Sequence, residues 1–233
     1  MSYKDSMIST YLKQTWFFFR AHMQQIMRIQ LPFIILITLI SMSAMQSVDP
    51  ENPEINNSIL MFYLASLIFL PLYAGATIAY LESVVNKAPI STTEALKIGL
   101  TRWGPLFVTK LLGAFGIAIG LLLFFIPGVF MMIRWGFAEY FSIIEKTGPT
   151  ESLKNSWQDT SEYFWPLLNG LAFLFAVLLG GNLLIETLLQ TMGIDSLIIR
   201  ALFDIVFGFL NCLYTIYGFR LYCVMRENTA EQG

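Results

Sequence analysis

The sequence predicts an all-α, polytopic membrane protein: six transmembrane helices in three hairpins, with cytoplasmic interfacial amphipathic helices. Three observations carry this. Hydrophobic residues make up 56% of the 233 and charged residues only 13%, against about 45–50% and about 25% in soluble domains. The apolar residues fall in long runs, with a mean hydropathy of +0.63, and a helix needs about 20 such residues to cross a bilayer. Basic residues gather on one side of the spans those runs define. This composition excludes an ordinary soluble enzyme, a disordered chain and a disulfide-built module. A net charge of −2 excludes a globally basic nucleic-acid binder.

The elements follow in order. An amphipathic stretch containing Trp16-Phe17-Phe18-Phe19 precedes the first apolar run, Leu31 to Met45. A cleavable signal would place a short basic region directly before its apolar core, so this run reads as an uncleaved anchor. Gln46 to Ser58 is polar, with Asp49, Glu51, Glu54 and two prolines that keep it turning. The second run is Ile59 to Val85, with Pro71 as an expected kink. Leu106 to Ile144 is apolar over 39 residues, too long for one span. Pro127-Gly128 divides it, and this pair predicts a tight turn between Leu106–Ile126 and Val129–Ile144. Leu167–Leu189 and Leu197–Val224 complete the six, joined by residues 190–196.

Orientation comes from lysine and arginine. Lys4, Lys13, Arg20, Arg28, Lys87, Lys97, Arg102, Lys110, Lys146, Lys154, Arg220 and Arg226 all fall on one side. The opposite loops carry none, and Arg134 and Arg200 lie within spans. The bias places both termini in the cytoplasm.

The chain reads as one membrane domain of three units, 1–85, 86–145 and 146–233, each an amphipathic segment followed by two spans. Thr93-Glu94-Ala95-Leu96-Lys97 matches Thr150-Glu151-Ser152-Leu153-Lys154, and Leu12-Lys13 echoes both. Pro32, Pro105 and Pro166 stand near the openings of the odd spans, where the missing N–H of a first-turn proline costs little. Residues 92–103 and 150–162 are expected to be helices along the inner surface, Leu and Trp inward. Trp16, Trp103, Trp157 and Trp165 then form an aromatic collar. A lipid-packing sensor or a partner-docking face is the sharper alternative.

Charged residues within spans are the candidate site, because they are expensive there. Arg134, Glu186, Arg200 and Asp204 sum to zero charge and fall in the outer third of their spans. They are expected to converge, Arg200 satisfying Asp204 one turn away and Arg134 and Glu186 closing the network. Structural pairing that docks spans 4, 5 and 6 is the first reading, and a polar transport site the second. Glu139, deeper in span 4, has no evident partner. Gly116 and Gly120 form a GxxxG that predicts close helix packing. Cys212 and Cys223 would lie roughly 16 Å apart on one helix, too far for a disulfide. With His22 the single histidine, no metal or cofactor site is expected. Glu94 and Glu151 read as first-turn helix charges.

The stretch from Pro127-Gly128 through Glu145 and Gly148 to Glu151-Ser152-Leu153-Lys154-Asn155-Ser156-Trp157-Gln158-Asp159-Thr160 resembles the bacterial YciC-type inner-membrane proteins. It is similar, more distantly, to the membrane domain beside some glycerophosphodiester phosphodiesterases. Ile216-Tyr217-Gly218-Phe219-Arg220-Leu221-Tyr222 resembles the YciC-type ending. The resemblance implies a multi-pass inner-membrane protein with no catalytic residues to carry over. The sequence thus leads to a non-enzymatic protein supporting envelope or lipid homeostasis. Its expected partners are the bilayer and a membrane-protein partner or second copy, with no nucleic acid. The alternative is a small-solute or lipid transporter with its polar site in the outer half of spans 4–6.

Overall fold

The structure, a computed structural model, describes residues 3–46 and 57–232. Every regular element among them is an α-helix: α1 (Tyr3–Gln46), α2 (Asn57–Val85), α3 (Thr92–Thr101), α4 (Trp103–Leu123), α5 (Phe125–Arg134), α6 (Ala138–Ile143), α7 (Pro149–Asp159), α8 (Phe164–Thr191), α9 (Leu197–Leu210) and α10 (Cys212–Gln232). Five stretches are long and apolar enough to cross a membrane: Ile8–Met45, Asn57–Val85, Trp103–Leu123, Phe164–Thr191 and Leu197–Ala230. The acidic stretch expected between the first two spans lies, apart from its ends, outside the described residues.

Three expectations are corrected. The amphipathic stretch before span 1 is not a separate helix; α1 runs unbroken for 44 residues with Pro32 inside it. No glycine or proline stands between Tyr3 and Leu31 to stop a helix, so the amphipathic period passes directly into the apolar one. At 1.5 Å per residue, α1 is about 66 Å long, roughly twice the hydrocarbon thickness.

The turn between the third and fourth apolar runs is not Pro127-Gly128. It is Phe124, extended at φ −162° and ψ 154°, and the Pro-Gly pair lies in the first turn of α5. Proline is at home there because the first-turn N–H groups have no helical acceptor. Gly128 can then press against Gly120, where a Cβ on Gly120 would meet the Gly128 Cα at 2.9 Å.

The fourth span is not one helix. α5 stops at Arg134, and Trp135 to Phe137 turn before α6 begins. The broken pair still runs back along α4. The Trp135 ring lies on Gly116, Glu139 pairs with Lys110, and the Arg102 guanidinium donates to the Ser142 carbonyl at 2.7 and 3.1 Å. The GxxxG glycines therefore receive an indole and a backbone, the close packing their spacing predicts.

α3 and α7 are helices, as residues 92–103 and 150–162 lead one to expect. Ser91 and Glu94 cap α3 reciprocally: Ser91 Oγ accepts from Glu94 N–H at 3.2 Å, and Glu94 Oε2 accepts from Ser91 N–H at 2.8 Å. Glu94 and Glu151 both stand in first turns. The packed faces of the two helices are small rather than large. Ala95 and Gly99 of α3 are buried, as are Ser152 and Ser156 of α7, while Lys97 and Lys154 are exposed. Pro105 and Pro166 fall in the first turns of α4 and α8.

Burial is uneven along the helices. Ile26, Ile29, Ile78, Leu81, Phe137, Ile216, Tyr217, Leu221 and Tyr222 are fully buried where α1, α2, α6 and α10 meet. Large apolar side chains elsewhere are exposed, including the whole run Leu121–Ile126 at the α4–α5 tip. Exposed apolar surface on this scale marks contact with something apolar.

Candidate functional site

Breaking α5 from α6 frees two backbone groups. The Gly136 N–H takes the Ile133 carbonyl and the Ala138 N–H takes that of Trp135. Phe137 N–H and the Arg134 carbonyl then have no helical partner, and buried orphans are costly. α7 supplies both partners. Ser156 Oγ accepts from Phe137 N–H at 3.0 Å and donates to the Arg134 carbonyl at 2.9 Å; Thr160 Oγ donates to the same carbonyl at 2.8 Å. Ser152, Ser156 and Thr160 are fully buried and recur every four residues, one stripe on one helical face. Ser156 and Thr160 hold the broken helix, while Ser152 donates to the Gly148 carbonyl at the start of α7. Trp103, the first residue of α4, ties that helix to α2, its indole N–H donating to the Ile68 carbonyl at 2.8 Å.

Glu139 has a partner after all. Lys110, assigned from sequence to the cytoplasmic side, is the eighth residue of α4 and forms an ion pair with Glu139 Oε1 across the α4–α6 contact. The pair is not sealed: the side chains retain 23% and 34% of their exposure. Glu139 lines a recess of about 340 Å³ between α4, α6, α7, α8 and α10, with Leu153, Leu167 and Leu171 in its walls. Lys110 borders that recess and also a second one, an apolar cleft of about 300 Å³ between α2 and α4, walled by Leu67, Leu70, Phe107 and Leu111. Sequence reasoning missed this pair because its members are 29 positions apart; folding the 39-residue run back on itself would have placed them opposite each other.

Of the four residues expected to converge, three do. Glu186, Arg200 and Asp204 line one cavity of about 270 Å³ between α1, α8 and α9, joined by Ser41, Asn182 and Gln190. Arg200 bonds the exposed Asp195 at 3.1 Å rather than Asp204. Helical side chains lean toward the N-terminus, which carries the guanidinium back to Asp195, two residues before α9. Arg134 does not join. Its guanidinium carbon lies 5.0 Å from the Trp157 ring centre and 5.9 Å from that of Phe130, a cation–π site on the α7 side of the bundle. Equal depth did not mean equal direction: α5 turns Arg134 toward α7.

On α7, which is not one of the membrane-crossing stretches, burial and then the nearby Glu145 push the Asp159 carboxyl above its usual value. The bond from the Ser91 backbone, then that from its side chain, hold Glu94 below its own. Among the described residues no group of acids, cysteines and histidine could hold a metal. His22 Nδ1 lies 3.0 Å from the Tyr80 hydroxyl, and Cys212 and Cys223 are buried free thiols.

The chain is similar to a bacterial membrane protein. It is 27% identical over 165 residues to UPF0259 membrane protein SG1383 of Sodalis glossinidius (strain morsitans). The match covers 70% of this chain and 64% of that relative's length, so the chain spans less than two thirds of it. No family model and no solved structure matches. With five apolar helices of crossing length, this is an α-helical, multi-pass membrane protein.

Proposed function

We propose that the protein crosses the bacterial inner membrane six times, with both termini in the cytoplasm, and supports the lipid composition of the envelope without catalysing a reaction. The one-sided distribution of lysine and arginine supports the orientation, and the return of α5 and α6 along α4 supports the sixth crossing. One observation carries the lipid reading. The Lys110–Glu139 pair stands between an apolar cleft and an inner recess, an arrangement suited to a molecule with a charged head and an apolar tail. Likeness to the YciC-type proteins over residues 127–165 and 214–226 accords with this reading; the fainter likeness to the phosphodiesterase-associated membrane domain adds nothing to it. The bilayer is the proposed partner, with a membrane protein or second copy beside it and no nucleic acid.

A second reading rests on the outer cavity. Glu186, Arg200 and Asp204 facing one space would suit transport of a small polar solute. Deleting the gene and measuring membrane lipid composition beside small-solute uptake separates the two. Altered lipids with normal uptake support the first reading. Normal lipids with impaired uptake refute it in favour of the second.

A further inference from the structure

The Lys110–Glu139 pair is poorly placed to serve stability alone. Lys110 stands about 10 Å along α4 from Trp103, inside an apolar helix, where drawing ions out of water is costly and a well-packed apolar pair would serve as well. Neither charge is closed off, and the ammonium, which has three donors, bonds Glu139 Oε1. Two hydroxyls of the recess are committed, Thr109 donating to the Pro105 carbonyl at 2.8 Å and Tyr140 to the Thr215 carbonyl at 2.9 Å, while Tyr214 and Thr215 also line it. Lys110 and Glu139 are the charged groups of that lining, and they set the charge a ligand must match.

Their pairing restricts what that ligand can be. A purely anionic head would take Lys110 from Glu139 and leave a carboxylate without a partner in a low-dielectric recess. A purely cationic head would strand Lys110 in the same way. A head carrying both a phosphate and a primary ammonium replaces each half of the pair, phosphate on Lys110 and ammonium on Glu139, and leaves the charge of the site unchanged. The recess, at about 340 Å³, has room for roughly ten water-sized groups, the scale of such a head. The adjoining cleft of Leu67, Leu70, Phe107 and Leu111 offers an apolar surface to an acyl chain, which favours a lipid over a soluble compound of the same head chemistry. Resting on the lipid reading above, we infer that the protein binds a zwitterionic phospholipid with a primary-amine head, the head exchanging with the Lys110–Glu139 ion pair and a chain entering the α2–α4 cleft.

The test is native mass spectrometry of the full chain purified in detergent, with dioleoyl phosphatidylethanolamine, phosphatidylglycerol or phosphatidylcholine added. Phosphatidylethanolamine is expected to be retained about tenfold better than the others, since each lacks one charged hydrogen bond or the donor for it. Lys110→Met with Glu139→Leu should keep helicity and melting but abolish the preference. The charge-reversed Lys110→Glu with Glu139→Lys should keep it, because a zwitterion can bind either way round. If the apolar pair fails to fold, Leu67→Trp, filling the exposed cleft, should still lower retention about tenfold. Equal retention of the three lipids, a preference for phosphatidylglycerol, a preference that survives the apolar pair or Leu67→Trp, or full displacement by millimolar phosphoethanolamine would each overturn the inference. Lost preference in vitro with altered lipids in the deletion strain overturns this site alone; loss of both overturns the lipid reading too.

Discussion

The hydroxyls of α7 offer a sharp test, because one acceptor is served twice and one donor once. Ser156→Ala removes the partner of Phe137 N–H, which Thr160 does not reach, while the Arg134 carbonyl keeps its Thr160 bond. Leaving one buried N–H unpaired costs about 1–3 kcal/mol. Thr160→Val leaves the same carbonyl with Ser156 and forfeits ordinary bonds, so it should cost about 1 kcal/mol. The double variant strips the carbonyl of both donors and adds a second orphan of about 1–3 kcal/mol. The double change should therefore exceed the sum of the singles, with a coupling of about 1 kcal/mol or more. Unfolding of the detergent-solubilised chain, followed by tryptophan fluorescence, measures all three. Trp135 lies in the break and Trp157 beside it, so the signal reports the region. Additive effects, or Ser156→Ala as stable as the parent, would show that α7 does not hold the broken helix.

Three further outcomes are expected. Reporter fusions after Asn52 and Gly193 should read as outside and one after Lys154 as inside; the reverse pattern would remove the proposed topology. Gly170→Ala should destabilise by about 1–3 kcal/mol, because a Cβ there would lie 2.0 Å from the Tyr217 phenol, which is held to the Pro166 carbonyl at 2.7 Å; unchanged unfolding would contradict that contact. Asp159 titrates higher when folded than when unfolded, so its ionisation favours the unfolded chain. Its destabilisation is absent below the unfolded value near pH 4, grows as pH rises through the folded value and is complete above it. Asp159→Asn should accordingly raise the melting temperature slightly at pH 7 and leave it unchanged at pH 3; an equal effect at both would refute the assignment.

The apolar runs were legible because lipid-facing helices need nothing beyond length and hydropathy. Thr92–Thr101 and Pro149–Asp159 were legible too, since Ser91, Glu94, Gly148 and Pro149 are local start signals. The break at Trp135–Phe137 was not, because its cause is remote: residues 129–144 read as one apolar run, and the groups that make a gap tolerable stand at 156 and 160. The available signal was Ser156 and Thr160, four residues apart on one face of a helix taken to face lipid, two hydroxyls that there serve buried polar backbone. The outer charges were found by type but not by direction. Glu186, Arg200 and Asp204 lie on helices that face each other, whereas Arg134 follows a helix ending that hydropathy does not reveal.

The dependence of α5 and α6 on α7 also fixes an order of events during synthesis. In the six-crossing arrangement, Arg134 to Phe137 lie within the bilayer, where an unbonded carbonyl and N–H cannot stay in contact with lipid. When residue 145 leaves the ribosome, the groups that answer them have not yet been made. The returning half of the hairpin must wait in a wetter setting, at the interface or within the insertion machinery, until Ser156 and Thr160 emerge. Its integration is then a late step of biogenesis, and a chain truncated before residue 156 should leave the segment after Phe124 accessible to water-soluble probes while α4 is already embedded.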